Sequence, residues 1–223
     1  MTAKADTKTP TISLLGTRAL LFEAPGPLDL SVQRIIWAIA QEAQSWEGVT
    51  EAVPGVTNLM LVFSRPQPDL VQIAKRLKVA WSASDTQQRA GRAFDIPIAY
   101  GGRSGPDTSV VIAHTGLTLE QIVVIHTRPV YTVYALGSHP GYCYLGGMDP
   151  RIAVPRKAQP SLSLPAGAVC IGGAQTGISA SPGPSGWNMI GTASIAFFDP
   201  ARTPPAVFAT GDTIRFHAER IDP

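Results

Sequence analysis

Two arginines in the second half of the chain have side chains suited to binding an anion. Arg151 and Arg156 follow a glycine-rich segment, and a guanidinium presents a planar fork of donors that matches a carboxylate or a phosphate. The competing interpretation is a structural salt bridge, to Asp149 or to another acid, and the sequence supports the two equally. Arg151 and Arg156 are therefore candidate substrate-binding residues.

Two further pairs lie in glycine-rich turns and could contact a small ligand. Gln175 and Thr176 are flanked by glycines, and a side-chain amide could bind both the donor and the acceptor of a planar amide. The alternative is that their hydrogen bonds only stabilise the turn. Gly101 and Gly102 allow the backbone to approach a ligand closely, or simply form a tight turn.

A histidine and a tryptophan complete the set of candidates. His126 is expected at a helix end, where it could act as a general acid or base. A histidine placed there by the helix dipole is the competing interpretation. Trp187 could close a pocket or pack as part of a barrel wall, and Tyr131 and Tyr144 are ambiguous in the same way.

Several common chemistries have no local motif. The sequence contains no Gly-x-x-x-x-Gly-Lys-Ser/Thr loop and no His-Glu-x-x-His, the patterns of P-loop enzymes and of zinc proteases. The four histidines are widely separated, so no metal site is predicted. The two cysteines are too few for a disulfide framework.

The composition favours a globular protein that binds neither nucleic acid nor a membrane. The net charge is +2 and only 15% of residues are charged, whereas nucleic-acid binding usually needs clustered basic residues. With 44% hydrophobic residues the chain can form real cores. There is no apolar signal segment at the start and no membrane-length apolar run, so a cytoplasmic location is predicted.

The hydrophobic periodicity predicts two domains, residues 1–90 and residues 91–223. The first has the order β-α-β-β-α-β of a ferredoxin-like α+β fold. Its strands are expected in 14–23, 49–53, 57–63 and, just past the boundary, 93–100, with helices up to 45 and over 69–80. Helices over 106–114 and 118–127 follow. Short strands at 131–136, 168–172, 189–191, 195–198 and 213–218 then predict a closed or partly closed barrel.

Three glycine-rich motifs carry a family resemblance. They are Gly146-Gly147-Met148-Asp149-Pro150-Arg151, Gln175-Thr176-Gly177-Ile178 and Gly186-Trp187-Asn188-Met189-Ile190-Gly191. In this order and spacing they resemble the carboxyltransferase-type allophanate hydrolase subunit 1 family, which includes the sporulation-kinase inhibitor and the B subunit of 5-oxoprolinase. The resemblance extends over nearly the whole chain.

The resemblance implies an N-terminal ferredoxin-like domain followed by a cyclophilin-like β-barrel. It also implies a hydrolase component that works in a complex with two others, a homologous C subunit and a separate A subunit. That complex opens the lactam of 5-oxoproline to glutamate with hydrolysis of ATP, or acts as a related small-amide hydrolase or carboxyltransferase. The ATP site is not located in this chain. The alternative is a non-catalytic protein that inhibits a histidine kinase.

The sequence departs from the family pattern at four positions. Arg103 and Ser104 stand where the family commonly has Glu-Phe, and the first of these changes reverses a charge. Ser138 replaces an aromatic residue and Ser179 replaces a tyrosine. These changes are expected around one cleft, so the resemblance leaves the substrate open.

Overall fold

The computed structural model describes residues 9–66, 69–83 and 91–223. They form two compact units, one made of residues 9–66 and 69–83 and the other of residues 91–223. The domain boundary predicted after residue 90 adjoins segment 84–90, which lies outside the described residues.

The first unit is a four-stranded antiparallel sheet with two helices. Alternate residues of its central strands are buried, and Phe22 and Leu61 share a core with Ile36, Ile39 and Leu77 from the helices. The spatial order of the strands is β1-β2-β4-β3. The elements are β1 (Thr11–Leu15), β2 (Ala19–Glu23), α1 (Leu30–Ala43), β3 (Val49–Pro54), β4 (Asn58–Phe63) and α2 (Leu70–Ala83).

The strand predicted at 93–100 is confirmed, but its assignment to the first domain is wrong. The strand expected at 93–100 belongs to the second unit, where it pairs with two barrel strands. The edge of the first sheet beside β2 is occupied instead by β1, which precedes β2 in the chain. Periodicity identifies a strand but not its partner, because pairing depends on contacts distant in sequence. The ferredoxin-like description stays a prediction.

The second unit is built around a closed barrel, as predicted. Its strands are β5 (Ala93–Gly101), β6 (Tyr131–Leu136), β7 (Cys143–Gly146), β9 (Ala168–Gly172), β10 (Gln175–Ile178), β12 (Asn188–Ala193) and β13 (Thr213–Asp222). They are ordered β10-β7-β6-β13-β5-β12-β9, and β9 pairs with β10 to close the ring. Neighbours are antiparallel except β5 and β13. Two short strands, β8 (Ser161–Leu164) and β11 (Gly183–Ser185), form a separate ribbon.

Two helices connect the first barrel strands, α3 (Thr108–Thr115) and α4 (Leu119–Thr127). The predicted start of α4 is confirmed, because Thr118 Oγ1 accepts from the Gln121 backbone N–H at 3.3 Å and Gln121 Oε1 accepts from the Thr118 N–H at 2.9 Å. This reciprocal arrangement satisfies donors that a helix N-terminus leaves free. The strand predicted at 195–198 is wrong, since that segment has only an isolated bridge at Phe198.

Among the described residues, no single helix is long and apolar enough to cross a membrane. The pair α3 and α4 passes that test only when taken together, and it bends by 93° at the break.

Candidate functional site

A pocket of about 340 Å³ opens on the outer face of the barrel. Its floor consists of outward-facing barrel residues. Three segments surround them: the turn between β6 and β7, the segment before β8 and the segment around β11. Cys170 and Trp187 of its lining belong to a small apolar cluster that is separate from the main barrel core. The pocket thus lies outside the barrel interior.

Three aromatic rings form one wall of this pocket. The ring centres of Tyr142 and Tyr144 are 4.7 Å apart, and both rings contact Trp187, at 6.1 and 5.8 Å. The indole also covers Gly172, where an added Cβ would lie 2.6 Å from the ring. Only glycine at position 172 lets Trp187 take this position.

Arg156 places a positive charge beside the aromatic wall. Its guanidinium carbon is 5.6 Å from the centre of the Trp187 ring, within cation–π range. The side chain is exposed, and no ion pair links it to an acid among the described residues. Arg156 is therefore available to bind an anion that enters the pocket.

The neighbouring Lys157, in contrast, already has partners. Its Nζ lies 2.7 Å from Asp107 Oδ2 and 2.6 Å from Ser161 Oγ, and the ion pair is largely buried. Asp107 Oδ2 also accepts from the Met189 backbone N–H at 2.8 Å. These bonds anchor the segment carrying Arg156 to the start of α3 and to β12.

His139 reaches the pocket from the turn between β6 and β7. Its Nε2 lies 3.1 Å from Ser179 Oγ, whose hydroxyl donates to the Ser181 carbonyl at 2.8 Å. Because that hydroxyl proton is used, Nε2 carries the hydrogen in the bond to Ser179. Burial lowers the pKa of His139. His139 is not among the residues predicted from the sequence, although the Ser138-His139-Pro140-Gly141 segment is typical of a turn.

His126, the predicted acid or base, lies inside the barrel and is fully buried. Its Nδ1 is 2.8 Å from the Tyr100 hydroxyl and its Nε2 is 3.0 Å from Thr176 Oγ1, which donates to the Cys170 carbonyl. Nε2 therefore donates and Nδ1 accepts. Burial lowers the pKa of His126 to about 3. The imidazole is neutral, and Phe216 stacks on it at 5.0 Å.

The other predicted residues lie outside the pocket lining. Arg151 forms a salt bridge with Asp149, at 2.7 Å, which was one of the two alternatives for this residue. Its hydrogen bonds lower the pKa of the Asp149 carboxyl group to about 2. Gly101 has φ +73°, and an added Cβ would collide with the Asp222 carbonyl oxygen. Gly102 is likewise closest to Asp222. At these two glycines the backbone approaches strand β13 of the same chain closely.

Gln175 and Thr176 begin strand β10 and are not part of the pocket lining. Thr176 is buried in the His126 hydrogen-bond network. The Nε2 atom of Gln175 is buried without a hydrogen-bond partner, which is unusual for a buried donor. Their role in binding a substrate stays a prediction, as do those of Arg151, Gly101 and Gly102.

The structure thus brings together only part of the predicted cleft. Arg156 and Trp187 meet in the pocket, and the two departures Ser138 and Ser179 are also in its lining. Arg103 is exposed and Ser104 half-buried, and neither is in this lining. Among the described residues, no group of three or more His, Cys, Asp or Glu is placed to hold a metal ion.

Two larger depressions lie on the first unit. One of about 900 Å³ runs along α2 and is mostly apolar. The other, of about 460 Å³, has Arg65 and Arg76 in its lining together with Glu47 and Asp69, so its charges balance. Neither contains a predicted site residue, and the barrel pocket is therefore the candidate site.

Comparisons with known proteins give a consistent result. A model of the family described as carboxyltransferase domain, subdomain C and D, matches residues 10–208. The 5-oxoprolinase B subunit of Escherichia coli O157:H7 is 39% identical over 203 residues, covering 91% of this chain and 93% of that protein. The protein of the same name from Haemophilus influenzae is 38% identical over 204 residues, covering 92% and 95%.

A solved structure is also similar. The crystal structure of the protein TTHA0988 superposes with a TM-score of 0.76 at 31% sequence identity. The match covers 93% of this chain but 41% of that one, so this chain spans about two fifths of the length of that protein.

Proposed function

Because this chain belongs to the carboxyltransferase domain, subdomain C and D, family, we propose that it is the B subunit of an ATP-dependent 5-oxoprolinase-type complex. The complex opens the lactam of 5-oxoproline to glutamate. Two relatives that carry the name of the 5-oxoprolinase B subunit match almost end to end, at 38–39% identity. Because both domains are matched, this coverage supports the same role for this chain as for those relatives, and not only a domain in common.

One structural observation supports this substrate above others. The barrel pocket combines an exposed cation, Arg156, with the aromatic wall of Tyr142, Tyr144 and Trp187 in about 340 Å³. 5-Oxoproline is a small flat ring with one carboxylate. Its ring would pack on the aromatic wall and its carboxylate would pair with the guanidinium.

The reaction requires more than this pocket. Opening the lactam adds water across the C–N bond of an unactivated amide, and ATP hydrolysis supplies the driving force. We assign ATP use to the assembled complex, in which the partners of this chain are a homologous C subunit and a separate A subunit. Within this division of labour, the present chain binds and orients the cyclic amide.

His126 receives a positioning role in this proposal. Both of its ring nitrogens are hydrogen-bonded to buried partners and burial lowers its pKa to about 3, so neither nitrogen is free to accept a proton from a substrate or to donate one near neutral pH. Through Thr176 it fixes strand β10, which pairs with β7 and β9 behind the pocket. The imidazole thus stabilises the wall to which the binding residues are attached.

Reconstitution tests the proposal. ATP-dependent glutamate formation from 5-oxoproline is measured with this chain and its cognate C and A subunits, and again with each component omitted in turn. We expect turnover only with the full set. Turnover that persists without this chain, or a stable three-component complex that leaves 5-oxoproline intact, would overturn the proposal.

A further inference from the structure

The turn that carries His139 has a backbone conformation that favours glycine. Ser138 has φ +65° and Gly141 has φ +79°. Gly137 donates its N–H to the Tyr142 carbonyl at 3.1 Å, and Tyr142 donates to the His139 carbonyl at 3.1 Å. A serine in the left-handed region is uncommon, and such residues cluster at ligand sites. This turn holds His139 at the rim of the pocket.

The hydrogen bonds of His139 determine which of its nitrogens can meet a ligand. Nε2 donates to Ser179, so in the neutral ring Nδ1 carries a lone pair. Among the described residues, the structure gives Nδ1 no hydrogen-bond partner. Burial lowers the pKa of His139, which favours this neutral form. His139 therefore offers the pocket one unused acceptor.

The remaining charged group beside the pocket is already engaged. Lys157 is held by Asp107 and Ser161. The groups left for a ligand include the acceptor of His139, the guanidinium of Arg156, and the faces and hydroxyls of the tyrosines in the aromatic wall. A complementary ligand has one N–H donor, one carboxylate and a small flat ring.

We propose that His139 is a specificity-determining residue of this pocket, which accepts the ring N–H of a carboxylated cyclic amide while Arg156 binds its carboxylate. Ser179 is a positioning residue, because its hydroxyl fixes the imidazole through Nε2. The inference rests on the proposed function for the identity of the site, and it adds the group by which a lactam is distinguished from a ring without an N–H.

A pair of isosteric ligands tests this role. Calorimetry measures binding of 5-oxoproline and of the corresponding lactone, 5-oxotetrahydrofuran-2-carboxylate, in which oxygen replaces the ring N–H. The titrations use the full chain, alone and with the C subunit. We expect the wild type to bind the lactam at least tenfold more tightly, because the bound lactone would cover the His139 acceptor without giving it a donor.

Variants separate recognition from a structural effect. His139→Phe should bind the two ligands equally, whereas His139→Asn, which keeps an acceptor on Cγ, should retain part of the preference. Ser179→Ala should reduce the preference, and His217→Asn on exposed β13 should leave it unchanged. A structural role alone would weaken both ligands equally and preserve their ratio.

Three results would overturn the inference. They are equal binding of lactam and lactone by the wild-type chain, no binding of either ligand with or without the C subunit, and a preference that survives His139→Phe. The proposed function is judged separately, because turnover by the reconstituted complex does not depend on which residue contacts the ring nitrogen.

Discussion

The guanidinium of Arg156 lies 5.6 Å from the centre of the Trp187 ring. The contact holds a positive charge over the indole ring while the arginine itself stays exposed. An anion that pairs with this guanidinium is brought directly against the indole. The pair therefore couples recognition of a carboxylate to packing of the ring that bears it.

The first prediction concerns the carboxylate. Arg156→Ala should weaken binding of 5-oxoproline about 10- to 100-fold, because a charge-assisted hydrogen bond contributes about 1.5–3 kcal/mol. Binding of 2-pyrrolidinone, which has the ring but no carboxylate, should change little. Calorimetry with both ligands measures the difference. Arg202→Ala, on an exposed loop of the same unit, is the matched control, and an equal loss for both ligands would contradict the carboxylate assignment.

The second prediction concerns the glycine under the indole. In Gly172→Ala the new methyl group would lie 2.6 Å from the Trp187 ring, so the ring must move and the aromatic wall must open. We expect a shifted ¹⁹F resonance of 5-fluorotryptophan at position 187 and at least tenfold weaker binding of 5-oxoproline. Gly137→Ala has no neighbour within 4 Å of the added carbon and should change neither. An unshifted resonance in Gly172→Ala would show that the wall is not built on this contact.

The third prediction concerns the anchor below Arg156. Asp107→Asn removes the charge that pairs with Lys157 and weakens the bonds that tie the segment to β12. The pair is mostly shielded from solvent, so the variant should lose about 1–3 kcal/mol in the free energy of unfolding of the barrel unit. Urea unfolding followed at Trp187, the one tryptophan of residues 91–223, measures it. Asp95→Asn, at an exposed site, should lie within experimental error of the wild type.

The fourth prediction concerns pH. His126 has a folded-state pKa of about 3, below the roughly 6.5 expected in the unfolded chain. Below pH 6.5 the unfolded state therefore binds a proton that the folded state does not, and stability falls as the pH falls towards 3. Because of this residue, the free energy of unfolding should fall by about 2 kcal/mol between pH 7.5 and pH 5. Above pH 7.5 it should have no effect on the free energy of unfolding.

Urea unfolding at the two pH values tests this linkage. His126→Gln should show a smaller loss between pH 7.5 and 5 than the wild type, whatever its absolute stability, and His217→Gln at an exposed site should match the wild type. In the wild type, the ¹⁵N spectrum of His126 should keep the neutral form protonated at Nε2 at pH 5. A His126 signal that titrates near pH 6.5 would refute the buried hydrogen-bond network.

Much of the scaffold follows from sequence patterns. Helical spacing and the Thr118 capping box predict α4, and frequent turns predict the barrel. The short strands β7 and β10 contain glycines that interrupt the alternation, so their periodicity is too weak to find them. The placement of β5 in the barrel depends on pairing with β12 and β13, which lie about 90 to 120 residues later.

In the candidate site, too, the sequence identifies residues with suitable chemistry, but contacts distant in sequence decide what each residue does. Arg151 and Arg156 look equivalent in the sequence, and only the fold gives one a carboxylate partner and leaves the other beside an indole. His126 has the chemistry of a general base but is enclosed by the barrel. His139 lies in an ordinary turn sequence, and its importance depends on Ser179, which approaches it from a segment 40 residues later.

The most direct test of the account is the steady-state turnover of 5-oxoproline by the reconstituted complex containing Arg156→Ala in this chain. We predict that kcat/KM for ATP-dependent glutamate formation falls at least tenfold, while the complex with Arg202→Ala retains the wild-type value. An Arg156→Ala complex that assembles and turns over 5-oxoproline at the wild-type kcat/KM would contradict the claim that the barrel pocket binds the substrate.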